Sequence, residues 1–176
     1  MSCLKNKDTS KLIAKKRIYP LGMRWFYTLY VWEDKKSMLA ASDDGVLCDA
    51  FCCHSPWRES ISGAFRTRFV PPFRGELHFS VHNWNMEVVS HECSHASIAL
   101  SQQIGLSPHN IFSGEGRLSE CLSCELLDKL VSEPTDEELF CYILGDMTQK
   151  VYRFLWKTQM NLLKIIELED KELLNG

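Results

Sequence analysis

The chain has 176 residues, of which 45% are hydrophobic and 24% are charged, and its formal net charge is −3. This length and composition are typical of one globular domain with its own core. So small a net charge creates no overall field that would attract nucleic acid or an acidic membrane surface, so we expect neither partner. No stretch is apolar for long enough to cross a bilayer, which favours a soluble protein.

Residues 1–20 form a basic N-terminal segment ahead of a single predicted domain over residues 21–176. Asp8 is the one acidic residue of this segment. Its cationic residues are Lys5, Lys7, Lys11, Lys15, Lys16 and Arg17. Such a run is usually a solvated, frayed terminus, and we expect that here. No apolar region follows the charges, as a secretory signal would require, so we expect a cytoplasmic location.

The first half of the chain has the composition of β-strands. Residues 24–32 (RWFYTLYVW) are aromatic and β-branched, and residues 36–41 and 46–53 follow after short Asp- and Gly-containing breaks. These three segments predict a β-meander. Residues 75–81 (GELHFSV) alternate apolar and polar side chains and predict one more short strand.

The second half has helical periodicity. Residues 86–104 predict a helix that Asn85 caps and Gly105 ends, and residues 117–131 predict a second. A third begins at residue 135 or 136 and runs to residue 157 or beyond. Strands first and helices afterwards predict an α+β fold, in which helices pack on one face of a small, mostly antiparallel sheet.

The segment His91-Glu92-Cys93-Ser94-His95 carries the clearest chemical signal. Side chains four residues apart lie on one face of a helix, so the imidazoles of His91 and His95 can bind a single Zn²⁺ ion. Glu92 lies about 100° further round the helix, beside the ion, where its carboxylate can act as a general base. The competing interpretation is two ordinary polar histidines beside a helix-surface glutamate, with no metal.

A zinc site of this kind needs a third protein ligand. The candidates further along the chain are His109, Glu115, Glu120, Glu125, Glu137 and Glu138. Glu138 shares a mostly apolar helix face with Tyr142 and Gly145, where a buried carboxylate would need a compensating cation. Alternatively, Glu138 closes a capping box with Thr135, and Glu137 competes for the ligand role. Tyr142 and His109 are candidates for stabilising the oxyanion.

The eight cysteines offer a second possible metal site. Without an export signal we expect free thiols or metal ligands rather than disulfides. Cys121 and Cys124 have CxxC spacing, and Cys52, Cys53 and His54 could complete a structural zinc site with them.

Three segments occur in a characteristic order: GELHFS, then VVSHECSHAS on a helix, then EELFCYILGDM on a later helix. This arrangement, over residues 75–146, resembles small zincin-type metallopeptidases of the gluzincin kind that are common in phage and prophage genomes. The resemblance implies a zincin fold, Zn²⁺, a peptide or protein substrate and, for a phage protein, the cytoplasm of the host cell. It also implies specific roles: His91, His95 and Glu138 as ligands, Glu92 as general base, and Tyr142 and Gly145 as packing positions.

A different class of function is also open. The protein could be a catalytically silent zincin that works by binding a partner, such as a phage-borne modulator of a host factor. The aromatic strand would then be an exposed recognition edge formed by Trp25, Tyr27, Tyr30 and Trp32.

Overall fold

The structure is a computed structural model that describes residues 8–41, 48–54, 60–62, 65–67, 72–104, 106 and 136–175. The fold is α+β, as predicted. Its strands are β1 (Leu12–Ile18), β2 (Phe26–Trp32), β3 (Ala50–His54), β4 (Ser60–Ser62), β5 (Phe65–Thr67) and β6 (Phe73–Ser80). Its helices, within the described residues, are α1 (Lys35–Ala40), α2 (Met86–Ile104) and α3 (Asp136–Asn175).

The main sheet is mixed, with the strand order β1-β2-β6-β3, and β4 and β5 form a separate hairpin. β1 and β3 are antiparallel to their neighbours, whereas β2 and β6 at the centre run parallel. The predicted β-meander is therefore wrong. β2 pairs with a strand far along the chain instead of with the segment that follows it.

The segment after β2 is a helix, where the sequence analysis predicted a strand. Asp34 caps α1, because its carboxylate accepts a hydrogen bond of 2.7 Å from the backbone N–H of Ser37. This local bond satisfies one of the free N–H groups at the helix start and favours helix over strand. The strand predicted over residues 46–53 is present but shorter, as β3.

The basic N-terminal segment is partly a strand. β1 pairs along its length with β2, and Lys15, Lys16 and Arg17 are exposed residues of this edge strand. The expectation of a frayed terminus is therefore wrong for β1, and the sheet begins before the predicted boundary at residue 20. Charged side chains on an edge strand discourage pairing with other chains. Residues 1–7 lie outside the described part of the chain.

The sheet separates two cores. On one face, side chains of β2 and β6 pack against α2 and α3, with Leu29, Leu77, Phe79, Cys93 and Ile143 among the fully buried residues. On the other face a smaller core of Trp32, Met38 and Ala41 lies beneath α1. The long helices thus pack on one face, as expected, and the unexpected α1 covers the other.

The aromatic strand is interior rather than exposed. Tyr27 and Trp32 are fully buried and Trp25 nearly so, because β2 lies between β1 and β6. Tyr30 is partly buried and stacks on His78 with ring centroids 4.8 Å apart. The idea that this strand is an exposed recognition edge is therefore wrong, and the alternative of a binding protein loses its proposed surface.

The predicted boundaries of α2 are confirmed. The side chain of Asn85 caps the helix by accepting a hydrogen bond of 2.9 Å from the N–H of Val88, and Ile104 is the last helical residue. The third predicted helix also exists as α3, and it continues to Asn175. The helix predicted over residues 117–131 lies outside the described residues. No helix that the structure describes is both long and apolar enough to cross a membrane.

Gly75 in β6 lies in close contact with both neighbouring strands, β2 and β3. A Cβ atom at this position would overlap the carbonyl oxygen of Cys53 in β3 and would lie 2.8 Å from Cε1 of Tyr27 in β2. Only a residue without a side chain therefore allows β2, β6 and β3 to pack at their observed spacing.

We expect Gly75→Ala to lower the free energy of unfolding by roughly 3 kcal/mol, because the added methyl forces two strands apart. Urea unfolding followed by tryptophan fluorescence measures this change. Gly145→Ala is the matched control, since a Cβ there meets no atom within 4 Å and the residue lies in α3. That variant should be unchanged or more stable by up to about 1 kcal/mol. Equal stability of the two variants would contradict the packing argument.

Candidate functional site

The two histidines of the HExxH segment meet on the exposed face of α2. The Nε2 atoms of His91 and His95 are 3.1 Å apart, and their ring planes are inclined at 82° with centroids 4.7 Å apart. Both side chains are exposed. This confirms that the two imidazoles converge. At this distance one ring nitrogen can donate a hydrogen bond to the other, and the same two nitrogens could supply two of the ligands of a metal ion.

Glu92 lies beside them and is buried, with 8% of its surface exposed. Burial raises the pKa of this carboxyl group, and positive charge on His91 and His95 lowers it. Burial thus disfavours the charge on this carboxylate, and the two imidazoles favour it when they are protonated. A buried carboxylate beside two convergent imidazoles fits a site for a divalent cation.

A small pocket opens beside this group. It has a volume of about 220 Å³ and lies between the first half of α2 and the start of β3. The residues that line it are Cys48, Asp49, Ala50, Glu87, Val88, His91 and Glu92. Because Glu92 and His91 both line this pocket, a substrate group held there would lie next to them.

The other end of β3 approaches the same helix. The Tyr27 hydroxyl donates a hydrogen bond of 3.0 Å to the carbonyl oxygen of Ala96, and it lies 3.4 Å from Nδ1 of His54. Burial lowers the pKa of His54, and the positive charge of His95 lowers it further. His54 is thus a neighbour of the histidine pair. From the sequence, His54 is a candidate only for the cysteine site, because its approach to α2 depends on the order of strands in the sheet.

The structure does not bring Glu138 together with the histidines. Glu138 is exposed in the first turn of α3, and the described residues contain no group of three or more potential ligands that could hold a metal ion. α3 packs on a different face of α2 from the one that carries His91 and His95, since Ser97 contacts Met147 at 3.5 Å. Glu138 as third ligand stays a prediction.

The other third-ligand candidates divide into two sets. Glu137 is exposed beside Glu138 at the start of α3. The remaining candidates, His109, Glu115, Glu120 and Glu125, lie outside the described residues. The structure therefore leaves the choice among them open.

The structure places two further residues of the predicted site, Tyr142 and Gly145. Tyr142 is exposed to 50% on α3, and Gly145 has open space around it, so neither has the packing role that the family resemblance implies. An oxyanion role for Tyr142 stays a prediction. His109, the second oxyanion candidate, is among the residues that the structure does not describe.

The structure places five cysteines, and none of these five forms a disulfide, namely Cys48, Cys52, Cys53, Cys93 and Cys141. Cys93, inside the HExxH segment, is fully buried in the core, and burial raises the pKa of its thiol to about 12. It therefore packs as a small apolar residue and is no thiolate ligand. Cys121 and Cys124 lie outside the described residues, so the structural zinc site stays a prediction.

The effect of burying Glu92 on stability can be measured on the metal-free protein. Because its pKa is raised in the folded state, ionised Glu92 costs stability at neutral pH, and protonation in acid removes that cost. Glu92→Gln should therefore raise the free energy of unfolding at neutral pH by about 1 kcal/mol, a gain that shrinks as the pH falls through the pKa of Glu92. Thermal unfolding in the presence of a chelator, recorded over a range of pH, measures it.

Glu87→Gln serves as the control for this test. Glu87 lies in the first turn of the same helix but is exposed, so its removal relieves no burial and weakens the interaction with the helix dipole. A gain in stability for Glu87→Gln equal to that for Glu92→Gln would show that the effect comes from net charge and not from burial.

The chain matches no protein-family model, and neither curated proteins nor solved structures give a match.

Proposed function

We propose that the protein is a zinc-dependent metallohydrolase, and specifically a small metallopeptidase. The observation that carries the proposal is the convergence of the His91 and His95 Nε2 atoms to 3.1 Å next to the buried carboxylate of Glu92. Imidazole nitrogen is a preferred zinc ligand, and catalytic zinc sites combine such ligands with a nearby general base. A peptide or protein is the proposed substrate.

Each residue has a distinct role in this proposal. His91 and His95 hold the metal ion, which when bound supplies Lewis acidity and lowers the pKa of a water molecule. Glu92 accepts the proton from the attacking water and later returns it to the leaving amine. The raised pKa of Glu92 suits both steps, since a group that titrates nearer neutrality exchanges protons more readily at physiological pH.

The third ligand is proposed from the same set of acidic residues. Glu138 is the first candidate by its position in the sequence, and Glu137, Glu120 and Glu125 are the alternatives. For Glu138 to serve, the first turn of α3 and the histidine face of α2 would have to come together when metal binds.

Zinc content tests the metal site directly. Purified protein should contain close to one equivalent of zinc by elemental analysis, and His91→Ala should lose it, because one imidazole cannot hold the ion alone. His82→Ala is the control, since His82 is exposed in the turn before α2 and should keep full zinc content. Protein that never retains zinc, even after refolding with it, would contradict the proposal.

Glu92→Gln tests the enzymatic step separately. The variant should keep its zinc and lose hydrolysis of a peptide substrate by about 100-fold or more, because the amide cannot accept the proton. Peptide mixtures analysed by mass spectrometry provide the assay. Full activity in Glu92→Gln would show that another group is the base, and zinc binding without hydrolysis of any peptide would favour a silent zincin.

A further inference from the structure

A groove opens between the edge strand β1 and the middle of α3. Its volume is about 470 Å³, within the range of ~300–1,000 Å³ that is usual for ligand sites. The apolar residues that line it are Ile13, Ala14, Phe154, Leu162 and Ile165. Ile165 is exposed to 51%, so this β1–α3 groove leaves apolar surface in contact with water that a bound segment would cover.

One wall of the groove is an edge of the main sheet. Among the described strands, the order β1-β2-β6-β3 leaves β1 with a neighbour on one side only. Every second residue of an edge strand turns its backbone N–H and C=O away from the sheet, where an added strand can bond to them. Lys15, Lys16 and Arg17 are successive exposed residues of β1. This stretch of the edge is therefore accessible.

The dimensions of the groove suit an extended chain. It follows α3 from Phe154 to Ile165, which is about 16 Å along the helix axis. An extended strand of about five residues has the same length. Domains that bind peptides by strand addition use such a groove between an edge strand and another element. Backbone bonds then supply affinity, and contacts to alternate side chains supply specificity.

The charged residues that line the groove are both cationic. They are Lys16 on β1 and Lys157 on α3. The Nζ atom of Lys16 lies 5.4 Å from the centre of the Phe154 ring, so the contact with this ring holds the ammonium group beside the apolar lining. A carboxylate bound in the groove would therefore meet positive charge from both walls.

The cationic character continues along α3. Arg153 and Lys164 lie four residues before and seven residues after Lys157, so the helical repeat places them on the same side of the helix. On that side, nearer the start of α3, Asp146 and Lys150 neutralise each other in an ion pair of 2.6 Å. The flank of the groove thus adds to the positive charge of its lining.

Acidic side chains near the groove lie outside its lining. Glu33 is paired with Lys11 at 2.6 Å, at the far end of β1. On α3, Glu167 points to the opposite side of the helix from Ile165, and Glu169 lies one turn beyond Ile165. The groove is thus a basic site with apolar walls. A segment that carries both apolar and acidic side chains is complementary to it.

We propose that the β1–α3 groove binds an extended acidic segment of another protein, which pairs with β1 as an additional strand. Its apolar side chains cover the apolar lining, and its carboxylates contact Lys16 and Lys157. The positive charge of β1 repels basic strands and attracts acidic ones, so the same charges select the partner. The inference is independent of the zinc proposal, because no residue of the HExxH segment lines the groove.

Fluorescence anisotropy with the full chain tests the apolar contact. The probe is a fluorescein-labelled peptide of about ten alternating Glu and Val residues, which should bind with a Kd on the order of 10 μM. Ile165→Ser should weaken binding by about 10-fold, because less apolar surface is covered. Ile166→Ser is the matched control and should bind as the unaltered protein does. Ile166 is exposed to 50%, as Ile165 is to 51%, but it does not line the groove.

A second pair of variants tests the charge contact. Lys157→Glu should weaken binding of the same peptide by about 10-fold or more, because an attraction becomes a repulsion. Lys36→Glu makes the same change in net charge at an exposed position of α1, on the other face of the sheet, and should leave binding nearly unchanged. Circular dichroism verifies that all variants remain folded. Equal losses in the two charge variants would overturn the assignment of the groove.

Strand pairing has its own test. The same peptide with an N-methyl group on every residue should not bind, because it has no backbone N–H to donate to β1. Hydrogen exchange of β1 amides should slow when the unmodified peptide is bound. Equal binding of the methylated peptide, or unchanged exchange in β1, would overturn the proposal.

Other occupants of the groove would give a different result. No binding of the Glu-Val peptide at concentrations up to about 1 mM would overturn the proposal, and it is the result expected if another part of this chain fills the groove. Self-association of the full chain that Lys157→Glu abolishes would identify a second copy as the occupant and would overturn it equally.

Discussion

The Tyr27 hydroxyl fixes the relation between the central strand and the helix that carries the candidate site. It is fully buried and donates a hydrogen bond to the carbonyl oxygen of Ala96, the residue directly after His95. Gly75 makes this possible, because the absence of a Cβ lets the Tyr27 ring lie against β6. The position of α2 over the sheet, and hence of the two histidines, depends on this contact.

The electrostatics of the site depend on which face of α2 each side chain occupies. Successive residues of a helix point in different directions, so His91 and His95 reach solvent while Glu92 turns towards the sheet and is buried. The fold thus keeps an acidic group in an environment that disfavours its charge, next to bases that favour it. Such opposing influences on one carboxyl group are typical of functional sites.

Local interactions explain what the sequence could predict. α2 was bounded correctly because its cap and its periodicity lie within the helix itself, and the approach of His91 to His95 needs only the helical repeat. The parallel pairing of β2 with β6 and the approach of His54 to α2 were not predictable, because they depend on contacts between distant segments. The sequence does carry a signal for α1, because Asp34 is a favourable N-cap residue and Met38, Leu39 and Ala40 are good helix formers, and the strand prediction overlooked it.

The parallel pair at the centre of the sheet also governs the order in which the protein can fold. β2 and β6 are separated by a long stretch of chain, and bringing them together costs conformational entropy before any contact repays it. α2 follows β6 directly, so it cannot dock until that pairing exists. A helix of this length is only marginally stable by itself, so in a chain emerging from the ribosome both the meeting of His91 with His95 and the burial of Glu92 would be completed only late in assembly.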